Sequence, residues 1–206
     1  MSPARRLQAH HRDWRLRSVP SGGGRALSTV GLIRSDLAEM RQVQGSLCPG
    51  VIACVLYRLA HSAATRGRLG RIVSQIVSLL SALVTGSEIH ALARIGPRLR
   101  IPHAVGSTVG AEVVAGEQLT LNGNVTLGAV ALDGGFPILG DRVTVGVNAS
   151  VLGEVRIGSD VTIGAHALVI GDVADGHTAA GVPARSWPTL RDADPCRSPR
   201  RLTLLG

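Results

Sequence analysis

The chain has 206 residues, enough for a core of its own, and is 45% apolar but only 2% aromatic. So few rings exclude a core of the usual mixed kind; Val, Ile, Leu and Ala must fill it, punctuated by 26 Gly. The formal charge of +8 comes from Arg alone: residues 1–25 and 186–206 hold ten Arg and three acids, while 26–185 holds twelve Arg and eleven acids. The basicity therefore lies in the tails, which argues against a nucleic-acid-binding body.

Residues 1–26 read as a basic leader without an apolar stretch, and Ser21-Gly22-Gly23-Gly24 near its end is a linker signal. Residues 27–86 read as a helical domain. Ile33, Leu37 and Met40 recur at spacings of three and four, and Pro49-Gly50 reads as a break. Val51 to Ala60 and Leu69 to Val84 follow as a second and third helix, too short together for a large core. The apolar stretch from Ile72 to Val84 contains Ser74, Gln75, Ser78 and Ser81 and is shorter than the roughly 20 residues of a bilayer span, so no membrane association is expected. Cys48, Cys54 and Cys196 match neither a disulfide framework nor a zinc spacing, which points to a reducing cytoplasm and to no metal.

At Ile89 the period changes to six. Leu139, Val145, Val151, Ile157, Ile163 and Val169 recur at that step, with Gly after four of them. Val109, Ala115, Leu121 and Leu127 form an earlier run, and Ile89, Ile95 and Ile101 one earlier still. Six residues make one short strand and a tight turn, and three such units close a triangular coil of 18 residues. Amphipathic strands of a sandwich would repeat every two residues instead. The expected fold is α+β: a helical segment, then a left-handed parallel β-helix over residues 87–185, then a tail over 186–206. Two places break the step. It is eight between Ile101 and Val109, a segment that contains His103. It is twelve between Leu127 and Leu139, where Ala129 to Pro137 read as an extruded loop. Interruptions in a regular solenoid are where function concentrates.

Several runs together resemble the serine acetyltransferase family. They are Leu56-Tyr57-Arg58-Leu59-Ala60-His61, Gly86-Ser87-Glu88-Ile89-His90, Ile101-Pro102-His103-Ala104-Val105-Gly106, Asn124-Val125-Thr126-Leu127-Gly128 and Ala179-Ala180-Gly181-Val182-Pro183-Ala184-Arg185. The resemblance spans roughly residues 50–185. It implies a CoA-dependent O-acetyltransferase in which His103 is the general base, a role a neutral imidazole suits. It further implies that Glu88, where the family usually has Asp, orients His103, and that stacking of neighbouring coils brings the two together. Gly146, Val147, Gly164 and Ala165 would line a groove for acetyl-CoA, with Arg185 beside its phosphates. Because that groove needs a neighbouring copy, a homotrimer or a dimer of trimers is implied.

His90 matches a family position that is not the base and reads as structural. His61, His166 and His177 carry no partner signal. The chain departs from the family in two respects. Pro102 stands where Asp usually precedes the base, and Gly134-Gly135-Phe136-Pro137 replaces an Arg-His pair that helps hold the serine carboxylate. The acceptor is thus open between L-serine, which leads to cysteine biosynthesis, and a hydroxyl on a sugar or other intermediate. A β-helix scaffold without activity is the third reading.

Overall fold

The structure is a computed structural model that describes residues 27–44, 48–131 and 134–189. The basic leader and most of the C-terminal tail lie outside the described residues. Among the described residues three helices precede the strands: α1 (Thr29–Gln44), α2 (Pro49–Ala64) and α3 (Gly67–Thr85). Pro49 opens α2 rather than interrupting a helix. It occupies the first turn, where its missing N–H has no intrahelical acceptor to lose. α3 ends at Gly86, whose left-handed conformation returns its N–H to the Ala82 carbonyl at 3.0 Å.

Among the described residues fourteen short strands follow, and all but the last coil into a left-handed parallel β-helix of about four turns. The first wall stacks β1 (Glu88–Ile89), β3 (Thr108–Val109), β6 (Thr126–Gly128), β9 (Ser150–Leu152) and β12 (Leu168–Val169). The second stacks β2 (Arg94–Ile95), β4 (Val114–Ala115), β7 (Ile138–Leu139) and β10 (Arg156–Ile157). The third stacks β5 (Thr120–Leu121), β8 (Thr144–Val145), β11 (Thr162–Ile163) and β13 (His177–Gly181), and ends in β14 (Ala184–Pro188). β14 returns antiparallel to β13 and extends to Pro188.

The six-residue anchors become columns in the core. Ile89 pairs with Val109, then Leu127, Val151 and Val169. Ile95, Ala115, Leu139 and Ile157 form the second column, and Leu121, Val145, Ile163 and Ala179 the third. All are buried. Such like-on-like stacking needs small branched side chains, which is why rings are scarce.

The first coil leaves a row of main-chain polar groups with no strand beneath it, and the helices satisfy them. Arg58 donates from Nη1 and Nη2 to the carbonyls of Ile95 and Gly96, both at 2.6 Å, and from Nε and the same Nη2 to Asp36 at 2.8 and 3.2 Å. Asp36 in turn accepts the Leu99 N–H at 2.9 Å. Tyr57 donates its hydroxyl to the Ala93 carbonyl at 2.8 Å, and burial pushes that hydroxyl up to about 12, so it stays a donor. Burial also pushes the Asp36 carboxyl above its ordinary range, with the Arg58 guanidinium pulling the other way. The helical segment is therefore a polar plug for the open end of the coil.

Cys54 is fully buried in this plug, and burial raises its thiol far above the ordinary range. In a timed reaction of the folded protein with a thiol reagent, Cys54 is expected to stay unmodified until denaturant is added. Labelling of Cys54 at the rate of half-buried Cys48 would show that the plug opens readily.

α3 differs from the other two helices. Its inward positions are Ser74, Ser81 and Thr85, whereas its large apolar side chains face outward. It spans 19 residues, more than the apolar stretch visible in the sequence, and among the described residues it is the one helix long and apolar enough to cross a bilayer.

Candidate active site

Both interruptions of the repeat sit at corners of the triangular coil, but not at the same corner. Glu88 pairs with Thr108, a step of 20 residues, while Thr108 to Thr126 is 18. The two extra residues fall in the corner entering the first wall, where Pro102 is buried and His103 exposed. Thr126 pairs with Ser150, a step of 24, and the six extra residues form the loop between β6 and β7 on the opposite edge of that wall. There the Phe136 ring covers Gly110, and Gly135 lies over Glu154. Within one chain the extruded loop therefore lies across the wall from His103.

Gly123 shapes the His103 corner. It has φ +104°, and a Cβ there would sit 3.0 Å from the His103 Cβ and 3.1 Å from its carbonyl oxygen. Gly123 also accepts the Asn148 N–H at 3.1 Å, and Asn148 meets the His166 ring at 3.3 Å. Asn124 donates its amide to Asn148 in the same column. Asn124, Asn148 and His166 all adopt positive φ, a left-handed corner that Asn and His tolerate better than most residues. This polar column was invisible as a unit in the sequence, although the 18-residue spacing from Asn148 to His166 is its trace. Gly123→Ala combines a left-handed backbone with a close contact. It is expected to cost about 1–3 kcal/mol of stability and to cut turnover at least tenfold, as read by chemical denaturation and a steady-state assay.

The residues expected to line the CoA groove continue this edge. Gly146 and Gly164 are consumed by the fold: their N–H groups bond to the carbonyls of Ile163 and Ala179, both at 2.8 Å. A Cβ on Gly146 would lie 2.6 Å from the Ala165 nitrogen, so glycine here serves coil packing. Val147 and Ala165 are exposed, and their N–H groups donate no hydrogen bond to any described residue. Free amides one coil apart, about 4.8 Å, suit the carbonyls of an extended pantetheine arm. Arg185 is exposed and pairs in register with Ala180, which lies against Gly164. His103, Gly123, Val147 and Ala165 thus follow one corner of the prism in that order, and Arg185 stands at its far end.

Glu88 is exposed on β1. The longer step places it beneath Thr108 rather than beneath His103, and no hydrogen bond joins the two side chains. The step from Glu88 to its register partner is 20 residues rather than 18, because of the insertion that carries His103. Glu88 instead lines a groove of about 440 Å³ between α3 and the first coil, together with Arg71, Ser74, Gln75, Ser78 and His90. His90 accepts the Leu92 N–H at 3.1 Å, in keeping with a structural role. His61 meets the Ala91 carbonyl at 2.8 Å and belongs to the plug. Among the described residues no cluster of His, Cys, Asp and Glu could hold a metal ion.

A triangular coil of hexads with an exposed His at an interrupted corner defines the class of hexapeptide-repeat transferases, and residues 136–171 match the family model for bacterial transferase hexapeptide (six repeats). Over 82 residues the chain is 41% identical to a serine acetyltransferase of Helicobacter pylori, covering 40% of this chain and 47% of that protein. It thus spans about half the length of the curated relatives it matches. Soybean serine acetyltransferase complexed with serine superposes with a TM-score of 0.73 at 32% identity, covering 78% of this chain and 70% of that one. A serine acetyltransferase in complex with CoA superposes with a TM-score of 0.72 at 27% identity, over 78% and 70% of the two chains. The chain belongs to the serine acetyltransferase family.

Proposed function

We propose that this protein is an acetyl-CoA-dependent serine O-acetyltransferase with His103 as its general base. The observation that carries the reading is the single corner along which exposed His103 is followed by the free amides of Val147 and Ala165. Similarity to proteins solved with serine and with CoA supports it. CoA supplies the acetyl group as a thioester. His103 takes the proton of the acceptor hydroxyl as its oxygen bonds to the acetyl carbon, and returns that proton to the departing thiolate sulfur. Val147 and Ala165 hold the pantetheine arm along the corner, with Arg185 toward the phosphates. Glu88, exposed on the preceding coil, is the carboxylate that orients the imidazole in this reading.

A homotrimer, alone or as a dimer of trimers, completes the site. The extruded loop and His103 occupy opposite edges of one wall, so the loop of one copy reaches the His103 of the next. Free Cys48 and buried Cys54 fit a cytoplasmic enzyme, and O-acetylserine would feed cysteine biosynthesis. A hydroxyl other than that of serine is the second reading. It is favoured by the absence of an Arg or His between Gly128 and Gly140, where the family resemblance would place a grip on the amino-acid carboxylate. Release of CoA thiol, measured with L-serine and with a panel of sugars, separates the two. Turnover with L-serine is expected, and turnover confined to sugars would overturn the serine assignment.

A further inference from the structure

Rings are scarce in this chain, and the other described ones serve the interior. Tyr57 is buried in the plug, and Phe136 lies partly buried over Gly110. Trp187 on β14 is the exception: it is 48% exposed and has no ring or cation contact with any described residue. The backbone around it is held. The register of the hairpin sets Trp187 opposite Thr178. Two residues on, Thr189 donates its N–H to the Gly176 carbonyl at 2.8 Å, and its hydroxyl meets that of Thr178 at 2.8 Å. An indole fixed in place and left in water suits contact with another flat group.

The neighbours of Trp187 say which group. Ala179 is buried in the third core column, so Thr178 and Ala180 face outward, and so do their partners on β14, Trp187 and Arg185. The two side chains therefore leave the same face of one strand, with Cα atoms about 7 Å apart. Arg185 stands on the corner side, because its partner Ala180 lies against Gly164, the residue before Ala165. Trp187 stands one step further onto the third wall. Arg185 forms no ion pair with a described acid. A guanidinium and an indole so spaced match a nucleotide, with a phosphate on the cation and a purine on the ring. A phosphate alone would make no use of Trp187, and a base alone none of Arg185.

We propose that Trp187 stacks on the adenine of CoA, so that the nucleotide leaves the corner at Arg185 and turns onto the outer face of the third wall. The inference rests on the CoA reading above and adds to it the residue that holds the base. Two measurements on the full chain test it. With Trp14→Phe, indole fluorescence reports Trp187 alone, since the chain has two Trp. CoA and dephospho-CoA, which carry adenine, are expected to quench it, whereas 4′-phosphopantetheine, which lacks the nucleoside, is not. By calorimetry, Trp187→Ala is expected to weaken CoA binding about tenfold, the usual effect of losing one base–ring stack. Trp187→Phe should keep most of the affinity, and 4′-phosphopantetheine should bind both variants as it binds the unaltered chain. Saturating CoA that leaves Trp187 fluorescence unchanged would overturn the stack, a result that needs no variant at position 187. So would an unchanged CoA affinity in a folded Trp187→Ala variant. A loss shared equally by CoA and 4′-phosphopantetheine would also overturn it, by giving Trp187 a part in the hairpin alone. Absence of CoA binding to the unaltered chain would instead overturn the CoA reading, and this inference with it.

Discussion

Replacing His103 by alanine is expected to lower kcat by about 10²- to 10⁴-fold, the usual contribution of a positioned general base. An alcohol is a poor nucleophile until its proton is removed, and His103 is the exposed imidazole at the corner where the coil is interrupted. The affinity for CoA, measured by calorimetry, should change little, because Val147, Ala165 and Arg185 lie on later coils. Glu88→Gln should cost less than His103→Ala, since an orienting carboxylate acts only through the imidazole. Unchanged kcat in a folded His103→Ala variant would remove the imidazole from the mechanism. A fall in CoA affinity that matches the fall in kcat would give His103 a binding role instead.

Arg58→Ala is expected to destabilise the fold by about 3–5 kcal/mol, the penalty for orphaning one partner of a buried ion pair. Both side chains are almost fully buried, at 1% and 2% exposure. The variant strands the Asp36 carboxylate and also frees the carbonyls of Ile95 and Gly96 at the open end of the coil. Many buried ion pairs can be replaced by apolar residues without loss. Here the double variant Asp36→Leu with Arg58→Met should remain destabilised, because no apolar side chain can donate to those two carbonyls. Urea unfolding at fixed protein concentration measures both, with the concentration held because assembly adds to apparent stability. Full recovery in the double variant would show that the ion pair, and not the capping of the first coil, is what Arg58 contributes.

The β-helix was legible because its cause is local. Every sixth residue must point inward, so Ile89 through Val169 announce their columns in the sequence, and so do the two breaks. The plug was not legible. Tyr57 and Arg58 bond to main-chain groups 36 to 38 residues away, and spacing holds no trace of such long contacts. Spacing likewise does not give the length of the coil that follows Glu88, which the insertion carrying His103 extends to 20 residues. Gly123 and the Asn124–Asn148–His166 column leave little mark in the sequence, because turn glycines and asparagines are common in every coil and spacing does not tell which of them lies against His103. α3 was judged by its apolar content, whereas its meaning lies in which side chains face out, and periodicity alone does not give that direction.

The most direct measurement is hydrogen exchange at the Val147 and Ala165 amides, with and without saturating CoA. In the free protein these N–H groups make no bond to any described residue and should exchange fast. If the corner that begins at His103 carries the pantetheine arm, CoA should slow both amides while leaving the already bonded Gly146 and Gly164 amides unchanged. Equal exchange at Val147 and Ala165 with and without bound CoA would contradict that path.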